Sequence, residues 1–154
     1  MKLYFLRHGK ADWPDWDRPD DERPLTKKGR HEMRRIAKFL AKSKVKPGAL
    51  LSSPLPRASE TAEIAAKALG LDVQLDRALG LRFNLAKLRP LLEQSGGEDL
   101  MIVGHDPGFT TVVKALTGAD LKLGKGGLAR VDLEKPESAK GRLIWLIPPK
   151  VGRA

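Results

Sequence analysis

Apolar and polar positions alternate along this chain with two periods, one helical and one extended. Leu3-Tyr4-Phe5-Leu6 is an unbroken apolar run between Lys2 and Arg7. Such a run predicts a short strand buried on both faces. Ala49–Ser52 and Leu100–Val103 read the same way, and 72–75 reads as a further short strand. Between them the period changes. Met33, Ile36, Ala37 and Leu40 follow the i, i+3, i+4, i+7 spacing of a helix with one buried stripe. Thr26 stands as its N-cap and Ser43 marks its end. Ser53 is placed to cap a second helix from Pro54 to Leu69, with Ala58, Ala62, Ala65 and Leu69 on one face and Gly70 as the stop. A third helix is expected over 84–94, interrupted by Pro90, and a fourth from Asp106 or Pro107 to Thr117. Residues 124–127 read as a turn, 128–133 and 142–147 as two closing strands, and everything from Pro148 as a tail. Strands alternating with helices predict an α/β fold with a mainly parallel sheet and helices on both faces.

At 154 residues the chain has room for one domain, so 1–154 is read as a single unit. It has no cysteine, which excludes disulfides, a thiol nucleophile and thiolate metal sites. Lys and Arg number 29 against 19 Asp and Glu, giving a net charge of +10. The surplus points to an anionic partner. It is concentrated between Arg23 and Lys46, where ten basic residues face one acid, Glu32. Just upstream lies an acidic loop holding Asp12, Asp15, Asp17, Asp20, Asp21 and Glu22. The apolar start is too short for a signal peptide, and no run approaches a membrane span, so the cytoplasm is expected and a membrane is not.

Three histidines remain to be placed. His31 lies within the basic helix and reads as a surface residue. His8 and His105 each follow a buried strand, 97 residues apart. Ligands of open α/β sheets bind beyond the carboxyl ends of strands, so both rings can belong to one site. Arg7 precedes the first histidine. Arg57 stands near the start of a helix, where free N–H groups and the helix dipole already favour anions. Gly9 and Gly104, next to the histidines, allow close approach of the backbone to a ligand.

Arg7-His8-Gly9 after an N-terminal strand, Ser52-Ser53-Pro54-Leu55-Pro56-Arg57-Ala58 with Thr61-Ala62, and Val103-Gly104-His105 together resemble the histidine phosphatase superfamily. The short chain, Arg23-Pro24-Leu25-Thr26 and the Gly104-His105-Asp106-Pro107 turn are most similar to its SixA-like phosphohistidine phosphatases. The resemblance covers residues 1 to about 117. It implies a phosphoglycerate mutase-like fold and a phosphatase in which His8 accepts the phosphoryl group. It implies Arg7, Arg57 and His105 around the phosphate oxygens. Guanidinium groups match that chemistry, because they are always charged and offer paired planar donors. Two nearby arginines are also expected to disfavour the His8 imidazolium.

One departure narrows the substrate. Many relatives carry an acidic residue after the third strand, where this chain reads Arg77-Ala78-Leu79-Gly80-Leu81-Arg82. A missing acid is tolerable when the leaving group is an imidazole. Asp12 and Asp106 are the nearest alternatives as proton donors. The expected substrate is a phosphohistidine on an acidic protein, reached through an open site and steered by the basic helix. A small phosphomonoester is the alternative within the superfamily. A non-catalytic polyanion or nucleic-acid binder is the alternative outside it, but aromatic residues are only 5% and no nucleic-acid-binding motif is present. Gly124-Lys125-Gly126-Gly127 lacks the Ser or Thr and the spacing of a phosphate loop. No spacing calls for a metal or another cofactor.

Overall fold

The apolar runs form the interior of one six-stranded sheet in the computed structural model, which describes residues 1–138 and 140–153, the last two of these by backbone alone. The strands are β1 (Lys2–Arg7), β2 (Ala49–Ser52), β3 (Val73–Leu75), β4 (Leu100–Gly104), β5 (Leu128–Leu133) and β6 (Gly141–Ile147). Their order is β3-β2-β4-β1-β5-β6. The pairs β3–β2, β2–β4 and β4–β1 are parallel, while β1–β5 and β5–β6 are antiparallel. The sheet is therefore mixed but mostly parallel.

Successive strand residues point to opposite faces, so a continuous apolar run fills two cores at once. Tyr4, Leu6, Leu50, Met101 and Val103 pack beneath α1 (Lys27–Lys42) and α2 (Pro56–Leu69). Leu3, Phe5, Leu100 and Ile102 pack beneath α3 (Leu85–Gln94) and α4 (Gly108–Thr117). Met33, Ile36, Ala37 and Leu40 are the buried stripe of α1, and Thr26 caps it by accepting the Gly29 N–H. Phe109 of α4 meets Phe5 and Phe83 edge-on, with ring centroids 5.3 and 5.6 Å away. Such pairs add about 0.5–1.5 kcal/mol each beyond burial. They hold the first turn of α4, which begins three residues beyond His105, against β1.

Three boundaries differ from the sequence pattern. The second helix begins at Pro56 rather than Pro54, and Leu55 precedes it with no side-chain cap. The Ser53 hydroxyl, expected to cap that helix, is engaged elsewhere. The third helix runs through Pro90 unbroken. Pro90 and Ala86, whose carbonyl the missing N–H leaves unbonded, are both exposed, so water can satisfy that oxygen. The segment expected as a tail carries a 3₁₀ turn at Pro149–Arg153 instead. It lies against the 124–127 turn: a Cβ placed on Gly126 would be 3.5 Å from Pro149 Cβ. Among the described residues no helix is long and apolar enough to cross a membrane.

Candidate active site

Sheet register brings the two distant histidines together. β1 and β4 are parallel neighbours with Arg7 opposite Gly104. His8 and His105 are the next residues along, and the ladder continues one step as His8 N–H donates to Gly104 C=O at 3.0 Å. The two rings lie 5.2 Å apart between centroids. β2 lies on the other side of β4, with Ser52 opposite Val103 and Ser53 N–H donating to Val103 C=O. Ser53 is thereby delivered beside His105. Its hydroxyl is 2.8 Å from His105 Nε2.

Hydrogen-bond counting assigns both tautomers. His8 Nδ1 lies 2.7 Å from the Gly9 carbonyl, which can only accept, so Nδ1 carries the proton. Nε2 is left with a free lone pair. Ser53 Oγ accepts the Leu55 N–H at 3.2 Å, and among the described residues His105 Nε2 is the one acceptor within reach of the buried hydroxyl's own proton. Its own proton is directed to His105 Nε2, which places the imidazole hydrogen on Nδ1. That Nδ1, with Arg7 Nε and Arg57 Nε, is among the buried side-chain nitrogens that lack a partner among the described residues. Both rings are held neutral. Burial is the main cause at His8, followed by the opposing Gly9 bond and then by Arg57, Arg7 and Lys125, and it brings the pKa down to about 4. Burial again leads at His105, then His8, Arg57 and Arg7, bringing it to about 3. The arginines do disfavour the imidazolium, as expected, but desolvation does more.

Around the rings lies a cavity of about 170 Å³ lined by Arg7, His8, Ala11, Asp12, Arg23, Arg57, Leu81, His105, Asp106 and Lys125. Arg7 Nη1 donates to Leu123 C=O at 2.8 Å, which anchors it to the segment before β5. Arg57 is almost wholly buried and is held by the Asp20 carbonyl at 3.0 Å and the Asp20 carboxylate at 3.4 Å. Asp20 also accepts from Arg23 Nε at 2.8 Å, so one carboxylate bridges two arginines. Arg23 Nη1 donates to the Ala11 carbonyl. Lys125 Nζ meets both Asp12 oxygens at 2.7 and 2.8 Å. Its turn is tied to the site by Gly126, whose N–H is shared between the Arg7 and His8 carbonyls at φ +81°. The arrangement can hold a dianionic group against a neutral imidazole.

Residues 3–80 match the model of the histidine phosphatase superfamily, branch 1. A relative from Picosynechococcus sp., itself uncharacterized, is 37% identical over 137 residues, covering 83% of this chain and 82% of its own. The chain belongs to the histidine phosphatase superfamily. The solved structure of the protein histidine phosphatase SixA complexed with tungstate superposes with a TM-score of 0.85 and is 28% identical, over 98% of this chain and 99% of that one. A mycobacterial glucosyl-3-phosphoglycerate phosphatase shares the fold at 20% identity and a TM-score of 0.71, over 92% and 96% of the two chains.

Within this histidine phosphatase, the structure brings together Arg7, His8, Arg57 and His105, all named from sequence, and lines the same cavity with Asp12 and Asp106. His31 is exposed on α1. The close approach anticipated at Gly9 and Gly104 is between protein atoms. A Cβ on Gly9 would lie 2.7 Å from Met33 Cγ, and one on Gly104 would lie 2.9 Å from Phe109 Cζ. Asp106 accepts the Thr110 N–H in the first turn of α4. Asp12 is held ionised, chiefly by the Lys125 hydrogen bond, with burial opposing and Lys125, Arg23 and His8 assisting. Sequence reasoning missed Ser53 as the partner of His105, and missed Arg23 and Lys125 as pocket cations. The strand register could have revealed Ser53. Arg23 and Lys125 reach the site on loops, where no periodicity marks direction.

Proposed function

We propose that this protein hydrolyses a phosphohistidine borne by an acidic protein, through a phosphorylated His8. The observation that carries the reading is the neutral His8 ring, with Nδ1–H committed to Gly9 and the Nε2 lone pair free, inside an arginine-lined cavity. In the first step the His8 Nε2–P bond forms as the bond from phosphorus to the leaving group breaks. In the second, water attacks phosphorus, the Nε2–P bond breaks, and phosphate leaves with His8 neutral again. Splitting the hydrolysis this way replaces one hard displacement with two easier ones. Arg7, Arg57 and the His105 Nδ1–H would hold the three equatorial oxygens, so positioning and charge supply most of the catalysis.

Two features support a protein substrate. The catalytic groups sit at the end of the sheet beside the 10–26, 77–84 and 118–127 segments, with no further domain over them among the described residues. The outer face of α1 exposes Lys27, Lys28, Arg34, Lys38 and Lys42, a field that attracts an acidic partner. The decisive measurement compares kcat/KM for a phosphohistidyl phosphotransfer protein with that for a panel of sugar and amino-acid phosphates, in 50 and 300 mM salt. The protein substrate should be preferred, and its rate should fall as salt rises. His8→Ala should abolish turnover and the acid-labile phosphoenzyme trapped after a rapid quench. Turnover retained in His8→Ala would refute the nucleophile, and a higher kcat/KM on a small phosphomonoester would refute the substrate.

A further inference from the structure

The cavity around His8 and His105 has room for a phosphoryl group and little else, so the group that carries the phosphoryl must lie outside it. Its neighbour is larger. A cleft of about 530 Å³ is lined by Asp12, Trp13, Pro14, Trp16, Arg18, Asp20 and Arg23. Asp12 and Arg23 line both spaces, so the two are immediate neighbours. The cleft wall is also fastened to the phosphate side, because Asp20 bonds Arg57 and Arg23 together.

Two of the three tryptophans in the chain stand here. Trp13 Nε1 donates to Pro24 C=O at 2.9 Å and Trp16 Nε1 to Pro19 C=O at 3.0 Å. Each indole is thus pinned by its polar edge, at no cost to its faces. The rings lie 6.0 Å apart at 37°, and Trp13 is 39% exposed. A large aromatic side chain left in water on a loop rich in Asp and Pro has no packing reason to be there. It offers a planar, electron-poor ring a π-face to stack on, beside carboxylates that are already shared with cations: Asp12 with Lys125, and Asp20 with Arg57 and Arg23. The positive charges of Arg18 and Arg23 oppose a cation there. Arg23 is tied to Asp20 and to the Ala11 carbonyl, and Arg18 is exposed at the rim.

We propose that this cleft is a leaving-group subsite, in which the imidazole of the substrate phosphohistidine stacks on Trp13 and Trp16 while its phosphoryl group enters the cavity beside His8. The inference rests on the function proposed above and assigns the contacts that would select an aromatic nitrogen carrier over an alkyl phosphate. It also accounts for the proton. A phosphoimidazole protonated on its free ring nitrogen is a planar cation. When His8 Nε2 bonds to phosphorus, the P–N bond breaks, its electron pair returns to the ring, and neutral imidazole departs with the proton it already carried. No separate acid is required.

The test measures a selectivity ratio, kcat/KM for free phosphohistidine over kcat/KM for glycerol phosphate. Stacking on an aromatic side chain is worth enough that replacing it should lower this ratio about tenfold in Trp13→Leu or Trp16→Leu. Trp13→Phe and Trp16→Phe keep a ring and should hold the ratio within about threefold, which separates stacking from loss of structure. Circular dichroism shows whether each variant is folded. Binding is read independently by tryptophan fluorescence in His8→Ala, which cannot turn substrate over. Phosphohistidine should quench saturably, and the quench should vanish when Trp13 and Trp16 are both Phe and Trp145 alone reports. A ratio unmoved in folded Leu variants, or an equal loss on both substrates, would overturn the subsite. His8→Ala activity tests the phosphatase reading separately, so the two failures are distinguishable.

Discussion

Ser53→Ala isolates the hydrogen bond that sets the second histidine. Ser53 is fully buried, with its oxygen 2.8 Å from His105 Nε2 and 3.2 Å from the Leu55 nitrogen. Alanine removes both bonds and adds no bulk. It leaves one buried ring acceptor and one half-buried N–H unpaired, at about 1–3 kcal/mol for the buried group. A loss of roughly 2 kcal/mol in urea unfolding is expected. The catalytic effect is separable from it. Without the Ser53 proton, His105 is free to move its hydrogen to Nε2, which withdraws the Nδ1 donor from the cavity. Loss of one oriented donor to a developing charge costs on the order of 10²–10³ in kcat. Partial tautomer loss should cost less, about twofold when the two tautomers become equally populated, because one of the two still works. The assay is kcat with an aryl phosphate, paired with long-range ¹⁵N–¹H spectra of the imidazoles. In the parent protein both His8 and His105 should show the Nδ1–H pattern. In Ser53→Ala only His105 should change, and Ser53→Thr should restore it. A His105 that stays Nδ1–H in Ser53→Ala, with kcat reduced all the same, would refute the tautomer argument.

Two further outcomes follow from the electrostatics. His8 and His105 have folded pKa values of about 4 and about 3, both below the unfolded value of 6.5. Below pH 6.5 the unfolded chain therefore binds protons that the folded chain does not. Stability should fall as pH drops from 6.5 toward 4, by up to about 1.4 kcal/mol per pH unit for each histidine, and be fully recovered above 6.5. His105→Asn should roughly halve that slope in denaturation measured across the range, and an unchanged slope would show that the histidines are not the cause. Asp20→Asn removes a carboxylate that competes with substrate for Arg57 and Arg23. The Asp20 carboxylate is two-thirds exposed, so solvent screens it and the gain is modest: inhibition by vanadate should tighten on the order of threefold, and weaker inhibition would mean that Asp20 mainly positions Arg57.

The core of the site was legible because strands advertise themselves. Each of β1, β2 and β4 is an uninterrupted apolar run, and a residue that follows such a run must sit at the sheet end. His8, Ser53 and His105 are all of that kind. Arg57 was legible from its place at a helix start. What sequence did not disclose came from side chains on loops. Asp20 turning back onto Arg57, Lys125 reaching Asp12 and the two indoles facing one cleft all depend on loop paths with no repeat to constrain them. Ser53 was misread for a different reason. A serine before Pro54 satisfies the rule for a helix cap, yet the helix starts later, at Pro56, and parallel pairing with β4 claims the hydroxyl for His105. Long-range register overrode a local rule.

The same geometry bears on which leaving groups the proposed hydrolysis would serve. Of the two carboxylates beside the cavity, Asp12 is kept ionised by Lys125 and Asp106 is occupied as an acceptor at the start of α4. Asp12 is therefore not set up to deliver a proton, and one Asp106 oxygen is committed to the Thr110 N–H. Both histidines are neutral well below pH 7, so neither supplies one as an imidazolium. An alkyl phosphate leaves as a strong base and needs a donor close by. A ring-protonated phosphoimidazole needs none, and an aryl oxide is a weak base. Donor poverty in the inner cavity and an indole-lined cleft outside it are independent features, since one concerns proton supply and the other shape. For the proposed phosphohistidine hydrolysis, both would favour a flat, weakly basic leaving group over an alkyl carrier.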